Sequence, residues 1–170
     1  RTAGFNSIDV GAMTQESWAL HYLLMFIGGG SASTAGGVKV GTAAILALLV
    51  ISEIRGHPDT EAFGRRVGPA AQRQAITVLV LGSAMVVLGT LLLLRITDFP
   101  ISRIIFEVIS AFGTVGLSTG ITADLPPAGQ FILTLLMYFG RVGTITLATS
   151  LVLRERRMPY RYPEEHPIVG

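Results

Sequence analysis

A chain of 170 residues with half of them apolar, a mean hydropathy of +0.59 and a formal net charge of +2 does not have the composition of a soluble globular domain. The sequence contains no cysteine, which excludes disulfides and thiolate metal sites. Its basic residues cluster at the ends of apolar runs, as in membrane proteins, so the positive balance does not indicate a nucleic-acid partner. The composition predicts an all-α membrane protein.

The first long apolar stretch covers residues 18–54, and Thr14 is a candidate N-cap for a helix that starts near Glu16. As one helix this stretch would be about 55 Å long, well beyond the ~30 Å of a hydrocarbon core. Its middle, residues 28–37, reads Gly-Gly-Gly-Ser-Ala-Ser-Thr-Ala-Gly-Gly, which is a poor helix former. The sequence therefore predicts a broken helix whose irregular loop is enclosed by protein or lines a water-filled cavity.

Residues 55–74 form a polar linker, followed by an uncharged run at 75–94 that is long enough to span a membrane. The apolar segment 101–112 is too short to span, and it predicts a re-entrant half-helix that leads into residues 113–118. A last apolar run, from about residue 130 to 153, contains a single charge at Arg141. An Arg at that depth is expensive unless it faces a cavity or a partner.

The distribution of Arg predicts the orientation in the membrane. Four Arg lie in residues 55–73 and four more in residues 154–161, whereas residues 95–127 carry two. The positive-inside rule places the linker 55–74 and the C-terminal tail in the cytoplasm, and the segment 113–118 on the outer side.

The segment Thr114-Val115-Gly116 is similar to a potassium-channel filter, in which backbone carbonyls replace the water shell of the ion. Thr2-Ala3-Gly4 matches it at an offset of 112 residues, and at the same offset residues 23–28 match residues 135–140. The chain is therefore predicted to hold two copies of a helix–pore-loop–helix unit, with Gly29 in register with Arg141. The first copy lacks an outer helix and a pore helix, so we expect the sequence to be a piece of a longer protein.

On these motifs the chain resembles the C-terminal half of the Trk/Ktr/HKT superfamily of potassium transporters, whose subunits carry four such repeats. The resemblance implies that residues 1–54 are the third repeat, residues 75–155 the fourth and residues 156–170 a cytoplasmic tail. It also implies a filter whose carbonyls bind K⁺ as the only metal, formed by Thr2, Ala3, Gly4, Thr114, Val115 and Gly116.

The same resemblance implies an intramembrane gate beneath the filter, which Arg141 helps to close. The implied gate residues are Gly28, Gly29, Gly30, Ser31, Ser33, Thr34, Gly36 and Gly37, although Ala32 and Ala35 make the loop poorer in glycine than expected. The resemblance further implies localisation in the cell membrane among lipids, potassium uptake, no enzymatic activity and no cofactor in this chain. The implied partners are the N-terminal half of the same subunit, a second subunit in a homodimer and a cytoplasmic regulatory ring that binds a nucleotide.

Alternatives remain open at this stage. An ion-coupled secondary transporter, symporting potassium with sodium or protons, is the nearest, although the two long apolar runs carry no carboxylate between residues 17 and 52 or 128 and 153. An intramembrane serine hydrolase would use Ser31 or Ser33 with His21 as base, but no Gly-x-Ser-x-Gly elbow is present. His21 is otherwise a wall or interface residue. Arg141 has a structural alternative, a buried pair with Glu107.

Overall fold

The computed structural model describes residues 3–30, 33, 35–56, 59–62 and 64–143, and this part of the chain is mostly helical. Its α-helices are α1 Gln15–Phe26, α2 Val40–Ile54, α3 Pro69–Ile96, α4 Ile101–Phe112 and α5 Pro127–Tyr138. Shorter elements are two 3₁₀ turns, Val10–Ala12 and Ile121–Asp124, a π-helical turn, Phe139–Gly143, and a hairpin of β1 Glu61–Ala62 and β2 Arg65–Arg66.

The apolar stretch 18–54 is broken as predicted. Helix α1 ends at Phe26 and α2 begins at Val40. The hydroxyl of Thr14 accepts a hydrogen bond from the N–H of Ser17 and caps α1, which begins at Gln15. Between the helices the chain leaves and returns at one place, because Ile27 and Val38 form a parallel bridge.

Helix α3 has 28 residues and is the one helix of the described residues that is long and apolar enough to cross a membrane. It begins at Pro69, so the helix extends six residues into the segment 55–74 that was predicted as a linker. Proline is favoured in the first turn of a helix, and the polar residues 72–74 are good helix formers that extend α3 beyond its apolar part. The shortened linker carries the β1–β2 hairpin, which an ion pair of 2.8 Å between Arg66 and Asp59 joins to its flank.

Helix α4, the predicted half-helix, lies at the centre of the described structure and packs against α1, α3 and α5. Every residue from 106 to 113 is buried. One apolar cluster joins α4 to α3 and α5 through Leu93, Val108 and Leu136, and a second joins it to α1 through Phe106. Residues 113–118 continue directly from the end of this buried helix, so the packing of α4 determines where they begin.

Aromatic rings fix α1 against α4. The rings of Trp18, His21 and Tyr22 have centroids 6.3, 6.5 and 6.0 Å from that of Phe106. The Tyr22 hydroxyl also donates a hydrogen bond of 2.8 Å to the carbonyl of Ser102. The face of α1 is thus tied to the start and the middle of α4.

The last apolar run differs from the predicted helix. Helix α5 begins at Pro127, because two successive prolines suit the cap and the first turn. Its α-helical part ends at Tyr138 and continues as a π-helical turn over Phe139–Gly143. The predicted end near residue 153 and the tail 156–170 lie outside the described residues.

Candidate functional site

The segment after α4 keeps its N–H groups turned toward the helix. The N–H groups of Gly113, Thr114 and Val115 donate to carbonyls of Ile109, Ala111 and Ser110 at 2.8, 3.0 and 2.9 Å. In a trans peptide the carbonyl points opposite to the N–H that follows it. The carbonyls of residues 112–114 therefore point away from the end of α4.

Two of these residues have left-handed backbone conformations. Thr114 has φ 51° and Gly116 has φ 90°. Glycine adopts such angles freely, but a β-branched residue there is strained by about 1–3 kcal/mol. The hydroxyl of Thr114 accepts a hydrogen bond of 2.8 Å from the N–H of Gly36, which lies in the glycine-rich loop.

Polar side chains of α4 hold the segment where it leaves the helix. The Ser110 hydroxyl donates to the carbonyl of Leu117 at 2.5 Å. Glu107 is 4% exposed, and its carboxylate accepts hydrogen bonds from the Ser118 and Thr122 hydroxyls at 2.6 and 2.8 Å. It also accepts from the N–H and hydroxyl of Thr119 at 2.8 and 3.1 Å. These bonds satisfy both oxygens of a buried carboxylate that the sequence offered only as a partner for Arg141.

The described filter residues of the two predicted copies lie side by side. A Cβ added to Gly116 would lie 3.3 Å from the Cα of Gly4, and one added to Gly4 would lie 2.8 Å from the Val115 carbonyl oxygen. Gly4 also has a positive φ, 74°. Ala3 precedes it, and Thr2 lies outside the described residues.

The end of the glycine-rich loop packs against the same place. A Cβ on Gly36 would lie 2.8 Å from the carbonyl oxygen of Phe112, and one on Gly37, whose φ is 73°, would lie 3.4 Å from the Cα of Gly113. Gly28 is buried at the start of the loop, where its N–H donates 2.7 Å to the Val38 carbonyl.

The middle of the loop is more open. A Cβ on Gly29 would meet the Ser33 side chain, whereas one on Gly30 would have no neighbour within 4 Å. Ser31 and Thr34, two of the predicted gate residues, lie outside the described residues.

Lys39 was missed by the sequence interpretation. Its Nζ donates to the carbonyl of Ser33 at 2.9 Å and to the carbonyl of Ala35. The signal was available, because Lys39 is the single lysine of the chain and directly follows the glycine-rich loop and Val38.

Arg141 lies in the π-helical turn and is exposed. It lines a cavity of about 520 Å³ together with Thr114, Gly116, Glu107 and the residues of α5 that face them. The structure thus brings Arg141, the segment after α4 and the foot of the loop into one neighbourhood.

The hydrolase pair of the sequence analysis makes other contacts. The Nδ1 of His21 lies 2.8 Å from the carbonyl of Ser17, and its ring lines a separate cavity of about 340 Å³ beside Gly4. The Ser33 hydroxyl accepts a hydrogen bond of 3.2 Å from the N–H of Ala35. Each side chain is engaged with backbone near it in sequence.

The two copies also agree in their helices. Helices α1 and α5 each have 12 residues, and they begin at Gln15 and Pro127, which are 127 − 15 = 112 positions apart. Each is preceded by a 3₁₀ turn, and each turn follows a glycine with positive φ, Gly4 or Gly116. This is the offset at which the sequences match.

The half-helix α4, the left-handed segment that follows it and the end of the glycine-rich loop lie together at one place in the described structure. A model of the TrkH family, described as a cation transport protein, matches residues 1–160. The chain belongs to the TrkH family.

Similar proteins include two whose names refer to potassium uptake. The chain is 41% identical over 176 residues to the potassium/sodium uptake protein NtpJ of Enterococcus hirae, covering 100% of this chain and 39% of the relative. It is 40% identical over 170 residues to the Ktr system potassium uptake protein B of Bacillus subtilis, covering 100% and 38%. The chain thus spans less than two fifths of the length of these relatives.

Proposed function

We propose that this chain contributes two filter strands and a gate to a potassium-uptake pore in the cell membrane. K⁺ is partly dehydrated at backbone carbonyls of Thr2, Ala3 and Gly4 and of Thr114, Val115 and Gly116. The observation that carries the proposal is the apposition of Gly4 and Gly116, because it supports two filter strands at one axis. The carbonyls of residues 112–114, turned away from α4, support the same assignment.

The gate in this proposal is the loop 28–37, assisted by Arg141. The hydrogen bond from Gly36 to Thr114 supports it, since it joins the loop directly to a filter residue. The cavity shared by Arg141 and Thr114 adds support, because a positive charge there would repel an arriving cation.

The surroundings of the pore follow from the orientation and the family. The linker and the C-terminal tail lie in the cytoplasm, and the filter lies on the outer side. Two further filter strands come from the N-terminal half of the same subunit. Two subunits form a dimer, and a cytoplasmic ring that binds a nucleotide regulates them; relatives named as proteins of a Ktr system agree with a multi-component assembly.

Matched glycine substitutions test the filter. Gly116 and Gly120 have nearly equal φ, 90° and 92°, so a side chain at either position adds the same backbone strain. Only Gly116 lies against Gly4, whereas Gly120 has open space. In the full-length protein we expect Gly116→Ser to lower the K⁺/Na⁺ permeability ratio on the order of tenfold, equivalent to about 1.4 kcal/mol.

The control Gly120→Ser should leave that ratio near its original value. Reversal potentials at matched surface expression measure both. Equal ratios and equal total flux for Gly116→Ser and the unmodified protein would remove the filter assignment.

Ion-coupled symport is a second candidate. The printed name of NtpJ includes sodium as well as potassium, and the buried carboxylate of Glu107 lines the cavity beside Thr114. Potassium flux measured with and without a sodium or proton gradient separates the two, because a pore conducts without either.

A further inference from the structure

The predicted filter segment after α4 is attached to that helix at both of its ends. At the first end, the N–H groups of residues 113–115 donate to carbonyls of the helix. At the second end the chain has turned back, and the carbonyl of Leu117 accepts a hydrogen bond from the Ser110 hydroxyl of α4. Gly116 lies between the two attachments with a φ of 90°, a conformation that favours glycine. The positions of the carbonyls in this segment therefore depend on both attachments.

Glu107 extends the second attachment to three further residues. It precedes Ser110 by three positions and thus lies on the same face of α4. One carboxylate oxygen, Oε1, accepts hydrogen bonds from the Ser118 hydroxyl at 2.6 Å and from the N–H and hydroxyl of Thr119 at 2.8 and 3.1 Å. The other oxygen, Oε2, accepts from the Thr122 hydroxyl at 2.8 Å. Four donors on one buried carboxylate hold this stretch of the chain against the helix.

The stretch that Glu107 holds also contacts the first copy. A Cβ added to Gly11 would lie 3.1 Å from the carbonyl oxygen of Thr119. Gly11 belongs to the 3₁₀ turn that follows Gly4. Glu107 therefore fixes a stretch that continues from one predicted filter strand and packs against the copy that contains the other.

The filter segment needs such attachments because its backbone is strained. Thr114 is β-branched and has φ 51°, and a conformation of this kind persists only where the surrounding structure fixes it. The selectivity of a carbonyl filter depends on how its carbonyls are arranged, since they replace the water shell of the ion. Loss of the second attachment would let the segment relax and would move those carbonyls.

We propose that Glu107 is a positioning residue that determines the selectivity of the pore for K⁺ over Na⁺. Its carboxylate holds residues 118–122 against α4 and thereby keeps the carbonyls of residues 114–116 in place. Glu107 acts through this backbone rather than on the ion, so the length of its side chain matters more than its charge. This inference rests on the proposed filter and adds a residue that supports it.

Conservative variants of Glu107 separate length from charge. Glu107→Asp keeps the charge but is one methylene too short to reach all four donors. Glu107→Gln keeps the length, because its amide oxygen can accept the three bonds of Oε1 and its amide nitrogen can donate to the Thr122 hydroxyl. In the full-length protein we expect Glu107→Ala and Glu107→Asp to lower the K⁺/Na⁺ permeability ratio by about fivefold, and Glu107→Gln to lower it clearly less. Reversal potentials at matched surface expression measure the ratio, which does not depend on how much protein folds.

A matched pair of threonine variants tests the donor side. Thr122→Val removes the single donor to Oε2 while keeping the shape of the side chain, so we expect the ratio to fall by about twofold. The control is Thr134→Val, since the Thr134 hydroxyl is exposed and donates to the Gln130 carbonyl within α5. The control should keep the original ratio. If the Glu107 variants do not reach the surface, this pair decides, and equal ratios for the two threonine variants overturn the proposal.

Two results with Glu107 would also overturn it. One is an unchanged ratio in Glu107→Ala. The other is a ratio that Glu107→Asp keeps and Glu107→Gln loses, because charge rather than length would then be decisive. Gly116→Ser distinguishes this inference from the proposed filter. If Gly116→Ser lowers the ratio and Glu107→Ala does not, the filter stands and the role of Glu107 is wrong; if neither lowers it, both are wrong.

Discussion

The two copies share the same helix but continue it differently. Helices α1 and α5 have equal length and begin 127 − 15 = 112 residues apart, yet α1 is followed by the loop 28–37 while α5 continues as the wider π-helical turn Phe139–Gly143. Both continuations approach one atom, the carbonyl oxygen of Phe112. A Cβ on Gly36 would lie 2.8 Å from it, and one on Gly140 would overlap it.

The two copies therefore approach the end of α4 with two different backbone structures. In both copies the chain comes close to the end of α4. The first copy does so with Gly36 at the end of the glycine-rich loop, and the second with Gly140 in a π-helical turn that also carries a charge, Arg141. π-helical turns inside helices are frequent at functional sites.

The largest expected effect is that of substituting Gly140, compared with the same substitution at Gly28. Gly28 and Gly140 are in register, and a Cβ at either would overlap a backbone carbonyl. Gly28→Ala presses on Gly36, which lies outside any helix, whereas Gly140→Ala presses on Phe112 in α4, where every residue from 106 to 112 is buried. We expect Gly140→Ala to destabilise the full-length protein by roughly 3 kcal/mol, and Gly28→Ala by clearly less.

Thermal unfolding of the two variants in detergent measures the contrast. Equal unfolding midpoints for Gly28→Ala and Gly140→Ala would show that the two positions tolerate a side chain equally well. That result would contradict the predicted difference between the two copies.

A smaller effect is expected at Arg141. Removing its charge takes a repulsive cation from the cavity beside Thr114, so Arg141→Ala should raise basal Rb⁺ flux several-fold and weaken regulation. Arg141→Lys should restore closure only in part, because one ammonium does not reproduce a planar fork. Arg95→Ala, at the end of α3, is the control for loss of charge.

Two results would count against a role for Arg141 in the gate. One is a folded Arg141→Ala protein with unchanged basal flux and regulation. The other is collapse of expression, which would favour a structural role for Arg141 in the π-helical turn.

The smallest effect concerns how each copy starts its helix. The Thr14 side chain caps α1, whereas α5 begins with two prolines and no side-chain cap bond. Thr14→Ala should therefore cost about 1 kcal/mol of stability. Thr14→Ser keeps the hydroxyl and should restore most of it in the same thermal unfolding assay. No loss in Thr14→Ala would mean that packing alone fixes the start of both helices.

Features set by local sequence were predictable. The bounds of α4 follow from a short apolar run between Pro100 and Gly113, and the break before Val40 follows from a cluster of glycines. The start of α3 was not predictable from hydropathy. Hydropathy identifies the apolar residues that can lie in a membrane, and a helix can extend beyond them through polar residues that favour helix. The π-helical turn was equally hidden, since it reflects the approach of Gly140 to a carbonyl of another helix.

The candidate site also contains positions that the sequence suggested and positions that it did not. The filter and loop positions were suggested by a repeat within the sequence, and their roles remain predictions. The partners of Glu107 were not foreseen, because its hydroxyl donors follow it by 11 to 15 residues and converge only after the chain has turned. Lys39 was not predicted, because only the glycine-rich residues 28–37 of this segment were assigned a role.

The bridge between Ile27 and Val38 has a consequence for how this loop can vary among homologous proteins. The ends of the loop meet before α2 begins, so the position of that helix does not depend on how many residues lie between them. Lengthening a closed loop costs little, about 0.6 kcal/mol for each doubling. Insertions and deletions between Gly28 and Gly37 therefore offer a way to change the size of this loop while the surrounding helices keep their places.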